Sequence, residues 1–70
     1  IPKSIVIIGA GYVALELGFF MSMMGSKVTI VEMFPRILIR EEPEISELMK
    51  REMSKFMNIY TGYKVVEADI

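Results

Sequence analysis

Hydrophobic and polar positions along this chain alternate between β-branched runs and longer stretches of helical period. Ser4-Ile5-Val6-Ile7-Ile8 is a continuous apolar run bounded by Pro2 and Gly9. A run with no polar face predicts a strand buried on both sides of a parallel sheet. Gly9-Ala10-Gly11 predicts a turn. Tyr12 to about Met24 then has no breaker except Gly18, and its length predicts a helix rather than a strand. Gly25-Ser26 ends it. Lys27-Val28-Thr29-Ile30-Val31-Glu32 is a second β-branched run and predicts a second strand.

Met33 to Glu42 predicts a connection. Pro43 suits a first helical turn, with Glu41, Glu42 and Glu44 placed where a helix dipole favours negative charge. Ile45, Leu48, Met49, Met53, Phe56 and Met57 then recur at steps of three and four, with Glu47, Lys50, Arg51 and Lys55 on the other face. That pattern predicts an amphipathic helix of about four turns. Asn58-Ile59-Tyr60-Thr61 predicts a short third strand and Gly62 a turn. Tyr63 to Ile70 predicts a fourth strand. It follows too closely for another crossover, which needs about a dozen residues, so it is expected to turn back antiparallel or leave the sheet. The fold class is therefore α/β. The order β-α-β-α-β-β is that of a partial Rossmann fold, with a parallel three-stranded sheet plus a final strand turning back.

Composition sharpens this in one respect. The chain has 70 residues, of which 53% are hydrophobic, and its mean hydropathy is +0.45. Ordinary globular domains are about 45–50% apolar, and single domains cluster near 100–150 residues. A short chain this apolar is expected to be a fragment, residues 1–70 forming the first mononucleotide-binding half of a larger domain. The seven methionines are expected mostly to fill the core. The net charge is −1 without a basic cluster, so no nucleic-acid footprint is present. No apolar stretch reaches the roughly 18 residues of a membrane span. Cysteine and histidine are absent, which excludes thiol chemistry, imidazole bases and Cys/His zinc sites within these residues. No catalytic or metal-ligating candidate emerges.

The chemistry lies in Gly9-x-Gly11-x-x-Ala14, which matches the G-x-G-x-x-G/A dinucleotide fingerprint. Gly9 permits a tight turn out of the strand. Gly11 lets the main chain approach a pyrophosphate. Ala14 is small enough for close helix–strand packing, and Gly18 extends that contact one turn further. The helix N-terminus directs amides and partial positive charge at phosphate. Glu32 lies about 21 residues beyond Gly11, at the end of the second strand, the offset of a ribose-binding acid. A carboxylate there accepts hydrogen bonds from ribose hydroxyls and opposes a 2′-phosphate, favouring NAD over NADP. Arg36 is the residue that could reverse this preference, by pairing with such a phosphate. The plainer alternatives are a ligand-free βα turn and a solvated strand end.

Ile1 to Gly18, with Gly25 to Glu32, resembles the NAD(P)-binding domain of the flavoprotein disulfide reductases, in particular the dihydrolipoamide dehydrogenase branch. The most specific feature is the Gly11-Tyr12-x-x-x-Glu16 extension. Arg36-Ile37-Leu38 and Glu44-Ile45-Ser46 resemble that family's next loop and helix start. The resemblance implies that Tyr12 and Glu16, which share a helix face, lie towards the nicotinamide. It implies hydride exchange between NAD(H) and FAD, with the FAD and a redox-active disulfide carried by the remaining domains of a parent flavoprotein. It also implies a homodimer, in the cytoplasm or mitochondrial matrix. The cofactor-binding candidates are Gly9, Ala10, Gly11, Tyr12, Val13, Ala14, Glu16 and Glu32. Three alternatives stay open: a non-catalytic nucleotide sensor, an NADP-using glutathione-reductase-like domain suggested by Ala14, and an FAD-binding half.

Overall fold

A computed structural model describes residues 2–63. The first strand, β1, covers Ser4–Ile8. It is followed by helix α1 at Tyr12–Met23 and strand β2 at Lys27–Glu32. Helix α2 at Pro43–Met53 and strand β3 at Asn58–Thr61 complete the described elements. The strands pair in parallel in the order β1-β2-β3. Ile5 lies opposite Val28 and Ile7 opposite Ile30, and Ile30 lies opposite Ile59. The expected α/β architecture is present. The expected strand from Tyr63 to Ile70 lies, beyond Tyr63, outside the described residues; Tyr63 itself is not in a strand.

One face of the sheet builds the core. Val28, Ile30, Ala10, Leu15, Ile37, Leu38 and Met57 are buried together, with Ile5, Ile7 and Ile59 packed against them. Helix α1 lies over β1 and β2. Met49 and Met53 of α2 close the rim. The other face is uncovered among the described residues: Val6 is 65% and Ile8 66% exposed. This corrects the expectation that β1 is buried on both sides. Both crossovers place their helices on one face, as right-handed connections in a 1-2-3 sheet must. The apolar alternate positions of β1 therefore have no cover within these residues.

One further expectation is corrected. The second helix ends at Met53, a turn earlier than its pattern predicts. Residues 54–56 form a turn, closed by the bond from Phe56 N to Met53 O at 2.9 Å. Met57 follows this turn, its amide still bonded to Met53 O at 3.2 Å, and its side chain drops into the core at 5% exposure. Its target is Gly18. A Cβ on Gly18 would stand 3.1 Å from Met57 Sδ and 3.4 Å from Ile30 Cδ1. The absent side chain is what lets the thioether fill this space. The methionines serve the core for the most part, as expected. Met57 is buried, and Met21, Met49 and Met53 pack against the core. Met23, Met24 and Met33 are half or more exposed.

Candidate functional site

The site is built at the carboxyl ends of β1 and β2, where ligands of open α/β sheets bind. Gly9 continues the sheet by one bond, its amide donating to Val31 O at 2.8 Å. Its φ is then 101°, in the left-handed region that favours glycine. This reversal swings Ala10 inward to 1% exposure. Gly11 stands at the N-cap of α1 with extended backbone and no side-chain cap. The first bond back to the cap runs from Leu15 N to Gly11 O at 3.0 Å. Amides of the first turn precede it, without intrahelical carbonyls to occupy them. No acidic side chain competes within that turn. A Cβ on Gly11 would meet nothing within 4 Å, so the space it leaves faces outward.

Glu32 joins this turn from β2. Its Oε1 accepts from Ala10 N at 2.9 Å, and its Oε2 accepts from Phe34 N at 3.0 Å. The carboxylate is thereby fixed beside the glycine turn by one amide on each oxygen. Each oxygen keeps further acceptor capacity.

A cleft of about 370 Å³ opens here, lined on one side by Gly9, Ala10, Gly11, Tyr12 and Glu32. The other side is Phe34 and Leu38 to Glu41, from the connection between β2 and α2. The sequence pattern does not announce this second wall. A connection without periodicity carries no signal of what it faces, although Pro35 and the length of the segment mark it as a structured loop. The structure thus brings together five of the eight candidates. Val13, Ala14 and Glu16 do not line the cleft. Val13 is 80% exposed, and Glu16 is exposed on α1.

Tyr12 stands at the cleft mouth, half exposed. Partial desolvation raises its phenol above the ordinary value of 10.0, and the adjoining Glu41 carboxylate adds to this by charge and as an acceptor. The neutral phenol is therefore the form held there. Glu41 was expected to belong simply to the helix N-terminal charge cluster. It lines the cleft instead, while Glu44 occupies the first turn of α2. Among the described residues no helix is long and apolar enough to cross a membrane.

A family model described as pyridine nucleotide-disulphide oxidoreductase matches residues 4–69. Dihydrolipoyl dehydrogenase of Chlorobaculum tepidum is 42% identical over 66 residues, covering 93% of this chain and 14% of that protein. The chain thus spans about one-seventh of that relative's length. A ferredoxin reductase of Rhodopseudomonas palustris superimposes with a TM-score of 0.91 at 31% identity, over 97% of this chain and 17% of its own. A water-forming NADH oxidase from Lactobacillus brevis, bound to NADH, superimposes with a TM-score of 0.82 at 25% identity. Its engineered form bound to NADPH does so with the same score at 26% identity. Each of these two covers 90% of this chain and 14% of its own length. A glycine turn opening a helix, with an acid beside it from the next strand, is here set in a chain matched by that family model from Ser4 almost to its end: the chain belongs to the pyridine nucleotide-disulphide oxidoreductase family.

Proposed function

We propose that the cleft holds the adenosine diphosphate portion of NAD(H), as part of an FAD-dependent disulfide oxidoreductase similar to dihydrolipoyl dehydrogenase. The observation that carries this is the bond between Ala10 N and Glu32 Oε1 at 2.9 Å. It puts the glycine turn and the Glu32 carboxylate on one wall of one cleft, the arrangement that a phosphate-binding turn and a ribose-binding acid would need. The pyrophosphate would lie against Gly11 and the first-turn amides of α1, where the missing Cβ leaves open space. The ribose hydroxyls would donate to Glu32. Tyr12 would cover the mouth on the side leading to the nicotinamide, and Val13 and Ala14 would contribute main-chain amides rather than side chains. Glu16, one turn further along α1, would act outside this cleft.

NAD(H), when bound, supplies a hydride that exchanges with FAD held by other domains. This chain's own residues do the binding and orienting. Glu32 also sets the preference for NAD over NADP. A carboxylate within about 4 Å of another negative charge is opposed by ~1 kcal/mol in water and by ~4 kcal/mol in a partly desolvated site. The 2′-phosphate of NADP would bring such a charge. The backbone alone does not choose, since neighbours of the same fold are bound to NADH and to NADPH.

The test is a titration of the full chain with NADH and with NADPH, for wild type and Glu32→Ala. Wild type is expected to bind NADH more tightly. Glu32→Ala is expected to lose about tenfold in NADH affinity, ~1.4 kcal/mol, and to narrow the gap between the two nucleotides. Tighter binding of NADPH by wild type would overturn the assignment of NAD.

A further inference from the structure

The outer wall of the cleft has an unusual backbone. Leu38 is 5% exposed and has a φ of 49°, in the left-handed region. A residue other than glycine held there is strained and persists only where its surroundings impose it. Those surroundings are visible. Leu38 N donates to Ala10 O at 3.1 Å, which ties the wall to the glycine turn. Leu38 O accepts from Glu41 N at 2.8 Å and from the buried Ser46 Oγ at 3.2 Å.

Arg36 adds the remaining clasp. Its Nη2 donates to Ile39 O at 3.0 Å and to Glu41 O at 3.0 Å. One amino group thus closes the segment Leu38–Glu41 by capping two of its carbonyls. Arg36 Nε is buried without a hydrogen-bond partner among the described residues. Arg36 is not part of the cleft lining, whereas Arg40 is. A guanidinium engaged with two main-chain carbonyls and absent from the cleft lining does not present its charge to a ligand in the cleft.

We propose that Arg36 is a positioning residue that holds the Leu38–Glu41 wall in its ligand-binding shape, and that it is not the cation that would recognise a 2′-phosphate. This rests on the reading of the cleft as an adenosine diphosphate site. Its consequence is a specific symmetry. Loosening the wall weakens every adenine dinucleotide alike, because the wall contacts what NADH and NADPH share. Losing a phosphate-binding cation weakens NADPH alone.

The experiment uses the full chain as wild type, Arg36→Met and Arg36→Lys. Each is titrated with NADH and NADPH, and amide hydrogen exchange is followed across residues 36–42 without nucleotide. Arg36→Met is expected to weaken both nucleotides by the same factor, about tenfold, and to speed exchange at Leu38–Glu41. Arg36→Lys is expected to recover much of both effects, since an ammonium can also donate to two carbonyls. Where Arg36→Met fails to fold, Arg36→Gln gives the same comparison. Selective loss of NADPH binding overturns the proposal, as does unchanged exchange at Leu38–Glu41 with nucleotide binding intact. A wild type that binds neither nucleotide overturns the adenosine diphosphate reading itself, and with it the role of the wall.

Discussion

Met57 and Gly18 meet where α1 crosses the sheet, with the thioether sulfur 3.1 Å from the position a Cβ of Gly18 would take. The contact joins the end of the second crossover to the helix of the first. It is made possible by a residue with no side chain on one partner and a flexible, unbranched one on the other.

Substitution at Gly18 sets two effects against each other. Alanine gains about 1 kcal/mol of helix propensity over glycine in a helix interior, but its Cβ requires Met57 to yield by a few tenths of an ångström. Met57 ends in a flexible chain, and the rigid neighbour Ile30 Cδ1 stands further off at 3.4 Å. Gly18→Ala is expected to be near neutral, within about 1 kcal/mol. Gly18→Val adds branches that Ile30 cannot accommodate and is expected to cost about 1–3 kcal/mol, as overpacking does. Denaturant melts of the full chain measure both. A stable valine variant would mean that the helix does not sit this close.

The two glycines of the turn are expected to fail differently. Gly9→Ala forces an L-residue to a φ of 101°, a conformational cost of about 1–3 kcal/mol that appears as lost stability. Gly11→Ala meets no atom within 4 Å and sits at an ordinary extended backbone, so stability is expected to change by less than about 0.5 kcal/mol. Its Cβ instead occupies the space proposed for the pyrophosphate, so NADH affinity is expected to fall at least tenfold. Melting and NADH titration on the same two variants separate the effects. An affinity unchanged in Gly11→Ala would remove the phosphate from this turn.

Tyr12 gives a pH signature. Its folded-state phenol titrates above 10.0 because desolvation, then Glu41, disfavours the phenolate. A group raised in the folded state contributes stability that is fully present below its unfolded value and is lost as pH rises through the folded value. The window therefore lies in the alkaline range above pH 10.0. Ultraviolet difference titration of wild type against Tyr12→Phe isolates this phenol from the other tyrosines. Glu41→Gln is expected to move its transition down towards 10.0, since it removes the carboxylate charge and leaves the desolvation. No movement would place Glu41 away from the ring.

Much of this protein was written locally. The bounds of β2, Lys27–Glu32, and of β3, Asn58–Thr61, follow from β-branched runs between glycine and polar breaks. The meeting of Glu32 with the glycine turn was also legible. Two parallel strands of similar length, joined by a right-handed helical crossover, end side by side, and the motif marks both ends. Gly18 announced its close contact by being a glycine inside a helix that is otherwise uninterrupted.

The rest depended on contacts between segments that carry no mutual signal. Which face of β1 is covered was decided by both helices lying on one side, a property of the assembled crossovers rather than of the run Ser4–Ile8. Met57 reads as one more turn of an amphipathic helix, yet the chain turns at residues 54–56 and delivers it to a gap that only Gly18 on another helix creates. The direction of Arg36 is the clearest case. Sequence alone permits it to face a phosphate. It faces carbonyls because Leu38, pinned between Ala10 and Ser46, bends the chain back within reach of its own guanidinium neighbour. Periodicity and turn chemistry act between residues a few positions apart and so can be read from their order. The destination of a long, flexible, charged side chain is set by whichever donors and acceptors the completed fold brings near it.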